Sequence, residues 1–400
     1  MKRAREIFLA ACMIGLPLTA SAQEDGIGNV ARTAVGPGWA KTSVNTTIFR
    51  TDPLVTHDGL QYIAFYNPQG VMVLGKRRLD GDGRWELRTT RHRGNVKDAH
   101  NAICIGVDGA GYLHVAWDHH GHRLNYCRSV RPGSLELTGR MKMTGRDEEK
   151  VTYPEFFMLP DGCLLFMYRD GSSGNGSTML NLYDIRMKRW IAIQHPLIDG
   201  QGERNAYTNQ IAVDARGRWH ITWCWRETGD VASNHDLCYA VSHDNGRSWK
   251  TSAGERYTLP ITADSAEYIR RIPMKSGLIN QTTTAVDSQG RPMTATYWRP
   301  EGSDVPQYHL IWFDGAAWRT VQVSSRTTAF SLSGPGTKRI PVSRPKLLVD
   351  DRDRIYLLFR DEERGNGISV AVSDDPSRSV WRTFDLSRGD VGLWEPSYDS

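Results

Sequence analysis

The chain has 400 residues, 39% hydrophobic and 24% charged, which is enough to bury a sizeable core and excludes a disordered chain. Its 50 basic and 45 acidic residues leave a net charge of +5, too mild to mark a nucleic-acid binder, and no Lys/Arg run of that kind is present. Gly (38), Trp (13) and Tyr (15) are abundant while long apolar helix patterns are nearly missing, so an all-β protein with many tight turns is expected.

Residues 1–22 open with Lys2, Arg3 and Arg5, continue as an apolar stretch from Ile7 to about Leu18, and end in Ala20-Ser21-Ala22. That is the pattern of a signal peptide cleaved after Ala22, so an exported protein, periplasmic or extracellular, is expected. The apolar run is too short to span a bilayer, and no other segment approaches a membrane span. Five cysteines follow (Cys104, Cys127, Cys163, Cys224 and Cys238), an odd number too sparse for a disulfide scaffold.

From Asp58 onward the chain repeats. A turn with Asp, often with Gly just after it, recurs between two apolar strands at Asp58, Asp108, Asp161, Asp214, Asp287 and Asp350, at intervals of 50, 53, 53, 73 and 63 residues. Such a period with strand-type patterning means a propeller or solenoid. Ser242–Trp249 matches the Asp-box, S-x-D-x-G-x-x-W, which favours the propeller. Six repeats are visible, and Trp394–Asp399 reads as the opening strand of a seventh, completed by the N-terminal segment or by residues beyond this sequence. The expectation is one all-β domain over 23–400, a seven-bladed β-propeller with six blades as the alternative.

Hairpin geometry then places polar residues. Residues about eight before each Asp and about ten after it share one rim. The first set holds His100, Tyr153 and Tyr207. The second holds Asp118, His119, His120, Arg169, Arg226, Arg299 and Arg360. Radial repetition points them at one mouth, giving a ring of four arginines with histidines and tyrosines. Four cations together call for an anion, a carboxylate or sulfate that arginine grips in bidentate fashion. A glycosidase needs two carboxylates, and this rim offers only Asp118. β-Elimination from a uronic acid needs a cation on the carboxylate, a base for the C5 proton and an acid for the leaving oxygen, roles that Arg, His and Tyr fill.

The stretches Asp98–Asn101, Leu113–His120, Tyr153–Phe156 and Tyr168–Gly171 resemble those of the BNR-repeat polysaccharide lyases, the ulvan lyase and rhamnose–glucuronate lyase group. The histidines 20 apart (His100, His120) and the tyrosine and arginine 16 apart (Tyr153, Arg169) carry much of the likeness. The resemblance implies that His100 and Tyr153 are base and acid, in an order set by the uronic epimer. It also implies that Arg169 neutralises the carboxylate and that His120 and Tyr207 position the sugar. Arg226 and Arg299 come from the repeat geometry, and His119, Arg204 and Arg360 join them as substrate-binding candidates. The function expected is cleavage of rhamnose–uronate linkages, as in ulvan or gum side chains. The alternatives are an exo-acting glycoside hydrolase of rhamnosidase or sialidase type, and a non-catalytic carbohydrate-binding propeller. The expected partner is an anionic polysaccharide and the expected state a monomer.

No cofactor is expected for the chemistry. Cys224, His235, Cys238 and His243, on one hairpin and its turn, form a candidate structural zinc site, although the spacing is not that of a standard finger. The Gly-rich stretch 170–176 lacks the lysine and following helix of a phosphate-binding loop and reads as a rim loop beside Arg169.

Overall fold

The Asp turns are hairpin turns, and the carboxylate is what makes most of them. The computed structural model describes residues 30–49, 53–337 and 340–399. Asp108 Oδ1 accepts from the backbone N–H of Ala110 and Tyr112, both at 3.0 Å. Asp214 does the same for Arg216 and Arg218, Asp287 for Gln289 and Arg291, and Asp350 for Arg352 and Arg354. In each of these turns the side chain thus reinforces the backbone hydrogen bond that the Asp carbonyl already accepts. Asp58 works differently. It and Gly59 lie at φ of 47° and 72° between Leu54–His57 and Leu60–Tyr66, a two-residue turn whose twist suits the strands.

Each hairpin grows outward into an antiparallel unit. The first unit is Leu54–His57, Leu60–Tyr66, Val71–Arg78 and Glu86–Arg93, in that spatial order. The second is Ile103–Val107, Leu113–Trp117 and Tyr126–Arg128. The third runs Val151–Met158, Leu164–Ser172, Asn175–Asp184 and Arg189–Asp199. The fourth has an interrupted innermost strand, Asn205–Thr208 and Ala212–Val213, then Trp219–Arg226, Asn234–Ser242 and Glu267–Arg270. Units starting at Thr283 and Lys346 repeat the four-strand order. First strands lie against first strands of neighbouring units, which is propeller packing. The all-β expectation holds.

Middle strands are covered on both faces by neighbouring units, so they read as continuous apolar runs. Trp219–Arg226 is buried at every position. Its Trp223 and Trp225 face a core with Leu165, Met167 and Cys238, while Cys224 faces the opposite core with Tyr207, Tyr239 and Trp298. All five cysteines described are buried and unbridged.

The Asp-box forms as expected. Gly246 N–H donates to Ser242 Oγ at 2.8 Å, Ser248 N–H to Asp244 Oδ1 at 2.8 Å, and the buried Trp249 plugs the unit beneath. Gly246 sits at φ 78°, and a Cβ there would come within 2.7 Å of Trp219. A second box lies in the last unit. Asp375 accepts from Ser377 and Ser379 N–H, and Trp381 Nε1 donates to the Arg378 carbonyl. It escapes the motif because it is one residue longer and Arg378 (φ 59°) takes the left-handed position.

Trp394–Asp399, expected as a strand, forms none. It is instead pinned by side chains. Glu395 accepts from Ile48 N–H at 3.0 Å and pairs with Arg344 at 3.0 Å, and Asp399 accepts from Gln61 at 2.6 Å. The tail therefore joins the first unit to the last. Pro37–Ser400 form one compact unit. The signal peptide expected over 1–22 lies outside the described residues. No helix among the described residues is long and apolar enough to cross a membrane.

Candidate active site

The site forms where the innermost strands begin. Just before Ile103–Val107 the chain makes a single 3-10 turn, Ala99–Asn101, capped by Asp98, which accepts the His100 N–H at 3.0 Å. The turn folds His100 back onto its cap: Asp98 Oδ1 lies 2.6 Å from His100 Nδ1. The other oxygen, Oδ2, lies 2.6 Å from His120 Nδ1. One carboxylate thus bridges two imidazoles, whose rings stack at 4.0 Å and 12°. Phe49 also stacks on His100, at 4.9 Å and 17°. His120 is delivered by the short strand His120–His122, which pairs with the start of Val151–Met158.

Two residues into that strand stands Tyr153, at φ 53° before Pro154. Left-handed backbone at a bulky residue ahead of proline is strained. The ladder is correspondingly interrupted opposite it, between Met167 and Arg169. The irregularity bends the strand start and turns the phenol toward the site. The Tyr153 ring is 5.7 Å from His100 and 5.9 Å from Tyr207. Arg169 Cζ sits 4.9 Å over it.

Arg169 and Arg226 close the far side. Arg169 Nη1 donates to the Tyr207 hydroxyl at 3.3 Å and Arg226 Nη1 to the same oxygen at 3.1 Å. Ser173 Oγ lies 2.7 Å from it. Both guanidiniums are buried, and among the described residues neither pairs with a carboxylate. Arg169 Nε has no hydrogen-bond partner. Arg344, also near Tyr153, is neutralised by Glu395.

The electrostatics sort the groups by proton. Burial pushes the His100 imidazole below its usual pKa, with the Asp98 hydrogen bond opposing and the His120 and Arg169 charges adding to the drop. Burial pushes the Tyr153 phenol well up, the Tyr207 charge adding to it and Arg169, Arg226 and Arg344 opposing. Burial would raise Asp98, but hydrogen bonds from both histidines overcome it and hold the carboxylate ionised. At neutral pH the site therefore offers a neutral imidazole, a protonated phenol and two unneutralised cations.

His100, His120, Tyr153, Arg169, Tyr207 and Arg226 are thus brought together, and the other expected residues are not. His119 is fully buried, its Nε2 accepting from Asn125 N–H at 2.8 Å. The alternation of a strand end explains this, since His120 points out where His119 points in. Arg204 pairs with Glu227 at 3.1 Å. Arg299 is held by the carbonyls of Lys275 and Ser276. Arg360 is buried and donates to the carbonyls of Trp394 and Ile340 and to Asn366. The ring of four arginines is therefore a pair. The proposed zinc ligands are not assembled either. Cys224 and Cys238 face opposite cores, His235 is engaged by Glu227 and Asp236, and His243 is exposed. Among the described residues, Asp98, His100 and His120 alone bring three potential donor atoms close enough to share an ion, but the facing atoms are already hydrogen-bonded.

Sequence reasoning passed over Asp98, Phe49, Arg344 and Asn205. Asp98 stood in a quoted motif without a role. Asn205 is buried beside Arg169, both side chains packing against Gly176, and neither of its amide atoms has a hydrogen-bond partner. Phe49 and Arg344 lie outside the spacing that relates the rim positions to the Asp turns.

A model of BNR repeat-containing family members matches residues 60–326. The chain belongs to that family. Among curated relatives, an ulvan lyase of Nonlabens ulvanivorans is 22% identical over 315 residues, covering 66% of this chain and 64% of the relative. A long-isoform ulvan lyase of Alteromonas sp. is 24% identical over 271 residues, covering 52% and 27%. The chain thus spans less than two thirds of the length of these relatives. A solved polysaccharide lyase of family PL25, an ulvan lyase, superposes with a TM-score of 0.67 at 15% identity, over 84% of this chain and 83% of that one. Polysaccharide lyase Uly1 gives 0.63 at 17%, over 88% and 82%. These two likenesses carry the fold: this member of the BNR repeat family is a β-propeller.

Proposed function

We propose that this protein is an exported polysaccharide lyase that cleaves rhamnose–uronate linkages, as in ulvan, by β-elimination. The observation that carries the reading is the buried pair Arg169 and Arg226, without carboxylate partners, beside a neutral His100 and a protonated Tyr153. Two such cations donating to one hydroxyl repel unless an anion joins them. A uronate carboxylate supplies that anion, and charge spreading onto it as the C5 proton leaves is stabilised by the same guanidiniums. In this reading His100 takes the C5 proton, the C5 electrons form the C4–C5 double bond, and the C4–oxygen bond breaks. Tyr153 gives its proton to the departing oxygen. Tyr207 fixes the two arginines, and His120 meets a sugar hydroxyl. The curated relatives named as ulvan lyases, and the solved lyase bound to -[GlcA(1-4)Rha3S]-, support this substrate class.

The carboxylates that contact the imidazoles and Arg344 do not suit a hydrolase. Asp98 is committed to two histidines, and Glu395 to Arg344. Incubation with ulvan should produce the ultraviolet absorbance of an unsaturated uronate. Release of reducing ends without that absorbance would transfer the site to a glycoside hydrolase. Binding without either product would make the protein a carbohydrate-binding propeller.

A further inference from the structure

We propose that Asp98 is a positioning residue that fixes one tautomer in both imidazoles, leaving His100 Nε2 and His120 Nε2 as lone-pair acceptors facing the substrate. The inference rests on the lyase reading for its catalytic consequence but not for its structural content. An ionised carboxylate only accepts hydrogen bonds. Both of its oxygens are taken, each by an imidazole Nδ1 at 2.6 Å. Both Nδ1 atoms must therefore carry hydrogen, and a neutral imidazole has only one N–H to give. Thr337 Oγ1, 3.3 Å from His100 Nδ1, is then a second, weaker acceptor for the same hydrogen. Asp98 is itself held in place, because the 3-10 turn it caps returns the His100 N–H to Oδ1.

The consequence is a division of labour from one carboxylate. His100 Nε2 is bare and suited to take a proton. His120 Nε2 is bare and suited to accept from a sugar hydroxyl. With Asp98 removed, nothing forces either ring into this tautomer, and an Nε2–H ring can do neither. The charged and titratable groups around His100 are Asp98, His120, Arg169 and Tyr153, with Lys41 and Lys97 lining the adjoining cleft. Only Asp98 among them favours the protonated imidazole.

The test is Asp98→Asn, read in two ways. The first is the histidine 15N–1H correlation spectrum of the free protein near neutral pH. Wild type should show His100 and His120 both protonated at Nδ1. The variant offers one carbonyl and one NH2, so one ring should switch to Nε2–H. The second is kinetic. kcat on a uronate polymer should fall about 10²-fold, with KM changing by less than about threefold. The acid limb of the kcat profile should move to lower pH, because the group that raised the His100 pKa is gone. Asp98→Glu should recover part of kcat. A wild-type spectrum showing Nε2–H on either ring overturns the proposal, as does an Asn variant that keeps kcat and its pH limb. A wild type inactive on every uronate polymer would sink the lyase reading while leaving the tautomer result to be read by itself.

Discussion

Replacing Arg169 with Met should abolish activity without destabilising the protein, a combination that a structural arginine does not give. Arg169 and Arg226 reach the same Tyr207 oxygen at 3.3 and 3.1 Å, so the two charges lie within roughly 6 Å. At an effective dielectric of about 20 their repulsion is about 3 kcal/mol. Removing Arg169 relieves that repulsion and the desolvated, unbonded Nε. It loses the hydrogen bond to Tyr207, worth roughly 1.5–3 kcal/mol for a charged donor, and some packing on Tyr153. These nearly cancel, so the melting temperature in a buffer of weakly binding anions should stay level or rise. Catalysis loses a preorganised cation at the developing charge, about 3–4 kcal/mol or a 10²–10³-fold drop in kcat. Sulfate should raise the melting temperature of the wild type by binding the folded state and should do so less for the variant. Scanning fluorimetry with and without sulfate, together with the unsaturated-uronate assay, reads all three quantities. A clear fall in melting temperature would show that Arg169 is structural, and retained turnover would remove it from the chemistry.

Arg360→Met should behave oppositely. It strips the donor from the carbonyls of Ile340 and Trp394 and from Asn366, costing at least about 3 kcal/mol in urea unfolding, with activity lost only as the fold is lost. His100→Ala should remove product formation at an unchanged melting temperature, and turnover surviving in that variant would exclude His100 as the base. In the wild type, turnover should fall as pH drops through the His100 pKa, at a midpoint below its ordinary 6.5. Stability should also fall on acidification. Burial holds His119 at about 3 and both His220 and His309 at about 4, so below pH 6.5 the unfolded chain takes up protons that the folded chain refuses. At pH 5.5 each costs roughly 1 kcal/mol relative to neutral pH, and a urea midpoint that does not move between pH 7.5 and 5.5 would contradict this. Gly246→Ala should destabilise by about 1–3 kcal/mol, since it forces a Cβ onto Trp219 at φ 78°.

The parts of this molecule legible in the sequence are those made by short-range chemistry. Asp turns and the Asp-box announce themselves because the side chain that closes each one lies within a few residues of the N–H groups it accepts. The hairpins follow, and with them the shared rim of His100, Tyr153, Tyr207, Arg169 and Arg226. Repeat position could not tell Arg226 from Arg299 or Arg360, which are equivalent in spacing. All three donate to loop carbonyls, Arg226 to those of Gly229 and Asp230, Arg299 to those of Lys275 and Ser276 and Arg360 to those of Ile340 and Trp394; what separates Arg226 is that its Nη1 still reaches the Tyr207 hydroxyl. Cys224 and Cys238 looked adjacent along a hairpin, but the register pairs Cys238 with Trp223 and puts the thiols on opposite faces. Asp98 was hidden in plain view, since a carboxylate two residues before a histidine is also an ordinary cap, and here it is both. Phe49, Arg344 and Glu395 are brought in by the closing of the ring, which joins residues about 350 apart and leaves no local trace.

The central claim is elimination at a uronate. Its most direct measurement is an absorbance time course at the unsaturated-uronate band, with purified protein and ulvan, gum arabic and other rhamnose–uronate polymers as substrates. Absorbance should rise steadily on at least one of them, and the rise should be abolished in Arg169→Met and His100→Ala. Reducing ends or free rhamnose released with no such rise would contradict it.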